Sequence, residues 1–401
     1  MYSQGDIEDA VAAGALAPDQ AVNLRNYVAT RNGAPTADEE YFRFFLGFND
    51  LFVAYACFFA LVAVGWLGTL APIDGGGATP PMPLLAGLLV AAGSWGLSEL
   101  FSRRRRFALP SILLNLTFAF GVFATLAMLV ALMVGARPEP TTAGVLLAVC
   151  AGLTAAAAWL YWRRFRMPIG VMVYVMFGIA ALVILIASML ARSSGMNTVL
   201  SAMLLLTGIG AFVYAMYWDG RDPRRFGTSN EVGLWLHWLA ASLIAYGLTG
   251  LFGWTNGVDS AGGAIGMVVI YLLFAVVALI VNRRALLIAG LAPLITAISS
   301  LTQGRRGSSR YDDDFDRLSY GGGSDRFGDV GSGMGSGYGR SSGADAMFGT
   351  MSTILIISII LLLLAIFWRP LRRALLGILP AGLRARVPAA DQMLPGDTTH
   401  V

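Results

Sequence analysis

Two apolar runs, residues 108–135 and 141–162, lie back to back between the basic clusters Arg103 to Arg106 and Arg163, Arg164 and Arg166. The hydrocarbon core of a bilayer is about 30 Å thick and takes about 20 helical residues to cross. Inside it every backbone N–H and C=O must find its partner within the chain, so a run this long and apolar has one outcome, a spanning helix. The pair reads as a helical hairpin that enters the bilayer from one side and returns to it. Most of the chain repeats that unit. Apolar runs at 51–71, 83–101, 108–135, 141–162, 168–190, 196–218, 232–254, 262–281, 285–301 and 351–368 predict ten transmembrane helices. The ninth is the shortest and contains Pro293.

Arginine placement gives the runs an orientation. Clusters follow the second, fourth, sixth, eighth and tenth runs: Arg103 to Arg106; Arg163, Arg164 and Arg166; Arg221, Arg224 and Arg225; Arg283 and Arg284; Arg369, Arg372 and Arg373. The short loops on the other side carry only Arg137 and Arg192. Basic residues stay on the cytoplasmic face, so both termini are expected in the cytoplasm. The same rule requires the ninth run to cross, since otherwise the arginine-rich tail would lie outside. The expected fold class is therefore all-α: a polytopic membrane protein of about ten helices arranged as five helical hairpins. The segments "RRFALP", "RFRMPIG", "RRALLIAG" and "RRALLGIL" follow the clusters and suit hairpin duplication. Evenly spaced spans would give the same period without it. Trp159, Tyr161, Trp162, Tyr217, Trp218, Phe367 and Trp368 stand beside these arginines as interfacial anchors.

Composition agrees with lipid as the solvent. Of 401 residues 56% are hydrophobic and 13% charged, against about 25% charged in water-soluble domains. All 28 basic residues are arginine; with the abundance of Ala, Gly and Leu this points to a bacterial source and hence to the inner (plasma) membrane. The net charge of +4 comes from helix-end arginines and is no nucleic-acid signal. Cys57 and Cys150 both fall inside apolar runs, which excludes a disulfide framework and leaves them as small packing residues.

Five regions follow. Residues 1–43 form a cytosolic helical leader: 6–13 and 18–31 predict two short helices around Gly14, the second started by Pro18 with Asp19 beside it and carrying Ala21, Leu24 and Val28 on one face. Residues 44–301 form a nine-helix membrane domain. Residues 302–349 are a Gly/Ser-rich extracytoplasmic insert too poor in apolar residues to fold; its aspartates 312, 313, 314 and 316 lack the spacing of a calcium loop. Residues 350–368 are the tenth helix. Residues 369–401 are a basic amphipathic tail, in which Arg369, Arg372 and Arg373 suit an anionic leaflet.

The stretch "AVAAGALAPDQAVNLRNYVA" in the leader resembles the N-terminal leader of DUF2157-type bacterial membrane proteins, and "YFRFFLGFNDLFVAYA" (41–56) is similar to the junction into their first span. The resemblance covers about the first quarter of the chain and implies a polytopic helical membrane protein. That family carries no established activity to transfer.

Ionisable groups at membrane depth are expensive, so they are where function is sought first. His237 lies two turns into the seventh run between Trp235 and Trp238; an imidazole titrates near neutrality and can relay protons, although a histidine with no carboxylate in its own span more often packs. Glu99 stands one turn before Arg103, as an i,i+4 ion pair requires. Asn115 suits interhelical hydrogen bonding. Asn49 and Asp50 sit at the mouth of the first run. The alternating Asp219, Arg221, Asp222 and Arg224 read as a self-neutralised turn, and Gly262 and Gly266 as a close-packing pair. There is no metalloprotease, nucleophile-elbow, phosphate-loop or paired-cysteine motif, so neither a catalytic site, a metal nor a cofactor is expected. The expectation is a non-enzymatic scaffold or assembly partner of a membrane complex, in contact with lipid and a partner protein. The alternative is a small-molecule or lipid transporter, since ten spans with both ends inside is also the layout of drug/metabolite-type transporters.

Overall fold

The computed structural model describes residues 4–31, 48–70, 83–105, 107–134, 139–190, 193, 195–221, 228–254, 261–303, 341–378 and 380. Residues 304–340 of the insert, most of the tail beyond Ile378 and the 32–47 junction lie outside these residues; 302–303 and 341–349, expected to belong to the unfolded insert, are helical and extend the ninth and tenth apolar runs. The described elements are all helical. In chain order they are α1 (Gln4–Ala12), α2 (Pro18–Arg31), α3 (Phe48–Leu70), α4 (Pro83–Ser98, continued by a π-helical turn Glu99–Arg104), α5 (Ala108–Val134), α6 (Pro140–Phe165), α7 (Pro168–Met189), α8 (Met196–Arg221), α9 (Thr228–Leu251), α10 (Ala261–Val281), α11 (Ala285–Gln303), α12 (Ser341–Ile366) and α13 (Trp368–Ile378).

Helix starts follow local chemistry. Pro140 and Pro168 occupy the first turn of α6 and α7, where the missing N–H is harmless and the fixed φ is already helical. Arg166 ends α6 in the left-handed region (φ 56°), and its N–H returns to the Trp162 carbonyl. In the leader Gly14 (φ 72°) separates α1 from α2. Ala21 and Val22 are buried there, whereas Leu24, expected on the same face as Ala21, is exposed.

Among the described residues eight helices, α3 to α10 with α4 taken through Arg104, are long and apolar enough to cross a membrane. Their outward sides are greasy: Phe52, Phe59, Leu67, Leu206, Val213 and Leu273 are all more than half exposed. Apolar surface on that scale is unstable in water, and a multi-pass membrane protein is what such helices make. The ninth and tenth expected spans differ from the eight. The apolar part of α11 is shorter, and Pro293 lies inside it. The apolar stretch of α12 is followed by α13 across a bend of 71°.

The most extensive contacts join α8 to α9, α6 to α7, α4 to α5 and α10 to α11. Each of these pairs is connected through an arginine-bearing loop. The hairpins of closest contact are thus displaced by one helix from the pairing expected from sequence, which joined α5 to α6. Small residues explain the choice. A Cβ at Gly247 of α9 would lie 2.5 Å from the Leu205 amide nitrogen of α8, and one at Gly121 of α5 would lie 2.9 Å from the Gly87 carbonyl oxygen of α4. Lipid offers no hydrophobic drive between helices, so backbones that can approach this closely pair best. Helix α9 has the most enclosed position: 56% of its apolar window is buried, against 17–50% in the other seven. It meets α7, α8 and α11.

Candidate functional site

The charged and amide side chains buried in the bundle sit near the helix ends that carry the arginine clusters. The densest group forms where α8 ends, α9 begins and α10 turns into α11. Three residues of α9, Asn230, Gly233 and His237, fall at i, i+3 and i+7, on one face of the helix. Asp219 comes from the last turn of α8. Arg283 comes from the turn after α10, which closes in a way that aims it inward. Asn282 adopts the left-handed conformation (φ 58°), and the Arg283 N–H bonds the Ala278 carbonyl at 2.9 Å. That six-to-one closure is a Schellman-type end, with asparagine where glycine is more usual.

Arg283 is completely buried. Its Nε donates to Asp219 Oδ2 at 3.1 Å and its Nη2 to Asp219 Oδ1 at 2.5 Å. The same Nη2 donates to Asn230 Oδ1 at 2.6 Å. A fork-to-fork pair of this kind is the strongest form of carboxylate binding available to a side chain. His237, also completely buried, places Nδ1 2.7 Å from the Gly233 carbonyl oxygen and 3.8 Å from Asp219 Oδ2. A carbonyl only accepts, so Nδ1 carries the proton. Phe212 meets the imidazole edge to face at 5.3 Å. Gly233 permits the whole arrangement, because a Cβ there would collide with Asp219 Oδ1.

The turn that presents Arg283 inward also holds α13. Trp368 Nε1 donates to Asn282 Oδ1 at 3.1 Å, and Arg372 Nε donates to the Leu279 carbonyl at 3.1 Å. The last carbonyls of a helix have no partner within it, so Arg372 caps α10 from outside. The Arg284 guanidinium lies over the Trp368 ring at 5.2 Å. Arg372 is buried in this contact, while Arg373 is exposed.

A second group lies between α4, α5 and α6. Tyr161 is completely buried against Trp95, Phe118 and Phe165. The Ser98 hydroxyl donates to the Ser94 carbonyl at 2.6 Å, so across 2.5 Å the Tyr161 hydroxyl is the donor and Ser98 Oγ the acceptor. The Thr117 hydroxyl is likewise committed to the Leu113 carbonyl, which leaves Ser94 to donate to it at 2.8 Å. Just beyond, Glu99 pairs with Arg103 at 3.3 Å and with Arg164 at 2.9 Å. The i,i+4 pair is the one expected; the link to α6 was not.

Asp50 and Asn49 part company. Asn49 is exposed, whereas Asp50 is buried and its Oδ2 accepts the Leu109 N–H at 3.3 Å. It therefore takes up one of the unpaired first-turn N–H groups of α5 from a neighbouring helix. Asn115, also buried, faces the first turn of α7: a Cβ at Gly170 would lie 3.3 Å from its Nδ2. Asp50 Oδ1 and Asn115 Oδ1 are buried with no hydrogen-bond partner among the described residues.

Of the residues singled out from sequence, only His237 joins the central group. Asp219, read as part of a self-neutralised turn, is instead the partner of Arg283. Arg283 was read only as one of the orientation-setting arginines, and Asn230 was not singled out. No local signal marks these three, since their contacts span 53 and 64 positions of sequence. Among the described residues no three His, Cys, Asp or Glu side chains come together as a metal site would need. No family model, no curated protein and no solved structure matches the chain.

Proposed function

We propose that this chain is a non-enzymatic scaffold or assembly partner of a bacterial inner-membrane complex, with ten crossings and both termini in the cytoplasm. The observation that carries the reading is the bidentate Asp219–Arg283 pair. It commits the buried charges of this region to each other and fastens α8, α9 and the α10–α11 turn into one unit, to which α13 is tied as well. Side chains held in this way hold shape; they are not free to exchange between a ligand and water. A cytoplasmic end fastened in this way, on a chain that also carries a polar leader and a basic tail, is a suitable platform for a partner protein.

The ten crossings rest on the eight long helices together with α11 and α12. The 19 residues of α11 span about 28 Å and its apolar part, Ala285–Ser299, about 22 Å, a mismatch with the core that local thinning of the bilayer accommodates. An alkaline phosphatase fusion at Ser324 is expected to be active and one after Arg373 inactive; the reverse pattern overturns this arrangement. For the scaffold itself the test is purification from native membranes in mild detergent, followed by mass spectrometry of the intact assembly. A stoichiometric protein partner is expected. A lone chain carrying retained metabolite would sink the reading.

Transport of a small molecule or lipid is the second reading, favoured by one observation. Helix α9 is the most enclosed of the eight long helices and carries His237, and the neighbouring α11 holds Pro293 in its interior. Transport sites are built where helices are interrupted beside a polar residue, and Pro293 marks such a position although α11 runs unbroken through it. If His237→Ala and Asn115→Ala leave every measurable flux unchanged, this alternative loses its support.

A further inference from the structure

Helix α13 has three distinct sides. Trp368, Arg372 and Leu376 fall at i, i+4 and i+8; all three are buried, and Leu375 packs beside them against the α10–α11 core. This is the side that docks on the bundle. At about 100° per residue, Leu371 and Ile378 share a flank to one side of the docked face. They are 42% and 81% exposed. Arg369 and Arg373 fall on the other flank, one turn apart from each other and nearly opposite Leu371 and Ile378. The helix leaves the line of α12 by 71°, so it runs across the end of the bundle and does not continue a crossing.

We propose that α13 lies in the membrane interface and binds anionic phospholipid, with Leu371 and Ile378 in the acyl layer and the flank that carries the arginine positions 369 and 373 toward the headgroup phosphates. The occupant follows from the pairing of flanks. A helix with one apolar and one arginine flank, held sideways against a membrane bundle, meets hydrocarbon below and phosphate above at the same time. A protein groove would have to supply both surfaces on opposite sides of one helix. The docked face fixes the roll angle through Trp368 on Asn282 and Arg372 on Leu279, so the helix arrives already oriented and little ordering entropy opposes binding.

The test uses the full chain with Cys57 and Cys150 replaced by Ala and Ile378→Cys carrying an environment-sensitive fluorophore. It is reconstituted into vesicles of phosphatidylcholine alone and into equal parts phosphatidylcholine and phosphatidylglycerol. The emission is expected to shift to the blue in the mixed vesicles only. Arg369→Glu with Arg373→Glu should abolish the shift. Retention of phosphatidylglycerol on the intact protein in mass spectrometry should fall about fivefold for each arginine lost, which corresponds to about 1 kcal/mol near an anionic surface. If the double reversal does not yield folded protein, Arg373→Gln alone is read in the same assay, with a smaller loss expected. Equal emission in both vesicles overturns the proposal, as does a shift that survives the arginine changes. So does a photo-crosslinker at position 378 that labels a protein and no lipid in native membranes. The proposal depends on the crossing pattern above only for which leaflet is met. Both leaflets of the vesicles are alike, so a wrong orientation would show in the phosphatase fusions and not here.

Discussion

A carboxylate that lies 7% exposed at the end of a membrane helix faces a completely buried guanidinium. The pair is weak evidence of net stability, because desolvating both charges offsets most of their attraction; breaking it is a different matter. Asp219→Ala leaves Arg283 buried without its counter-charge and is expected to lower stability by about 3–5 kcal/mol, read as a lower midpoint in detergent thermal melts. Asp219→Leu combined with Arg283→Met removes both charges and should recover most of that loss. If the double variant melts no higher than Asp219→Ala, the two residues do not act as a pair. Sequence alone showed the histidine and hid its neighbours. His237 is conspicuous because ionisable residues inside apolar runs are rare. Asp219 and Arg283 are inconspicuous because each sits at a helix end, where charges are ordinary, and only folding brings them together across 64 positions. Asp50 is a similar case, since its partner is a backbone N–H 59 positions away, which no spacing rule identifies.

Individual helices were far more legible. The apolar run at 168–190 becomes α7 over Pro168–Met189, and the run at 262–281 becomes α10 over Ala261–Val281. Length, a proline in the first turn and an arginine after the last are local facts, and they set the ends. Which helix packs on which was not legible, because the deciding residues are glycines scattered among many others. Gly247 is one that matters. Gly247→Leu must push α8 from α9, and overpacking of this kind costs about 1–3 kcal/mol; the loss should appear as a lower melting midpoint, with the same change at Gly210, where a Cβ meets open space, as the silent control. Helix α13 makes a second prediction at this scale. Trp368→Ala with Arg372→Ala removes both bonds to the α10–α11 turn. Amide hydrogen exchange should then rise across α13 while α4 to α7 keep their protection. Unchanged exchange in α13 would mean that apolar packing alone holds it.

Among the described residues the buried charged and amide side chains gather at one end of the helices, while buried hydroxyls such as those of Ser188, Ser201 and Thr249 lie toward the other. Asp50, Glu99, Asn115, Asp219, His237, Arg283 and Arg372 come from seven different elements and all lie near the arginine-bearing ends. The closest helix pairs are also joined at those ends. Neighbours in sequence are therefore neighbours in space, which favours rapid, local assembly. The Asp219–Arg283 pair, like Glu99–Arg164 and Arg372–Leu279, joins distant positions, and biosynthesis gives it a particular meaning. Chains elongate at about 5–20 residues per second, so the 64 positions between the two residues correspond to roughly 3–13 s of translation. During that interval α9 and α10 are being made while the carboxylate at the end of α8 awaits its counter-charge. The bond closes only when α10 has been made and its turn has followed. Arg283 thus acts as a signal that α8, α9 and α10 are all in place, and a nascent bundle interrupted before it carries a visible fault: a bare acid at the end of α8.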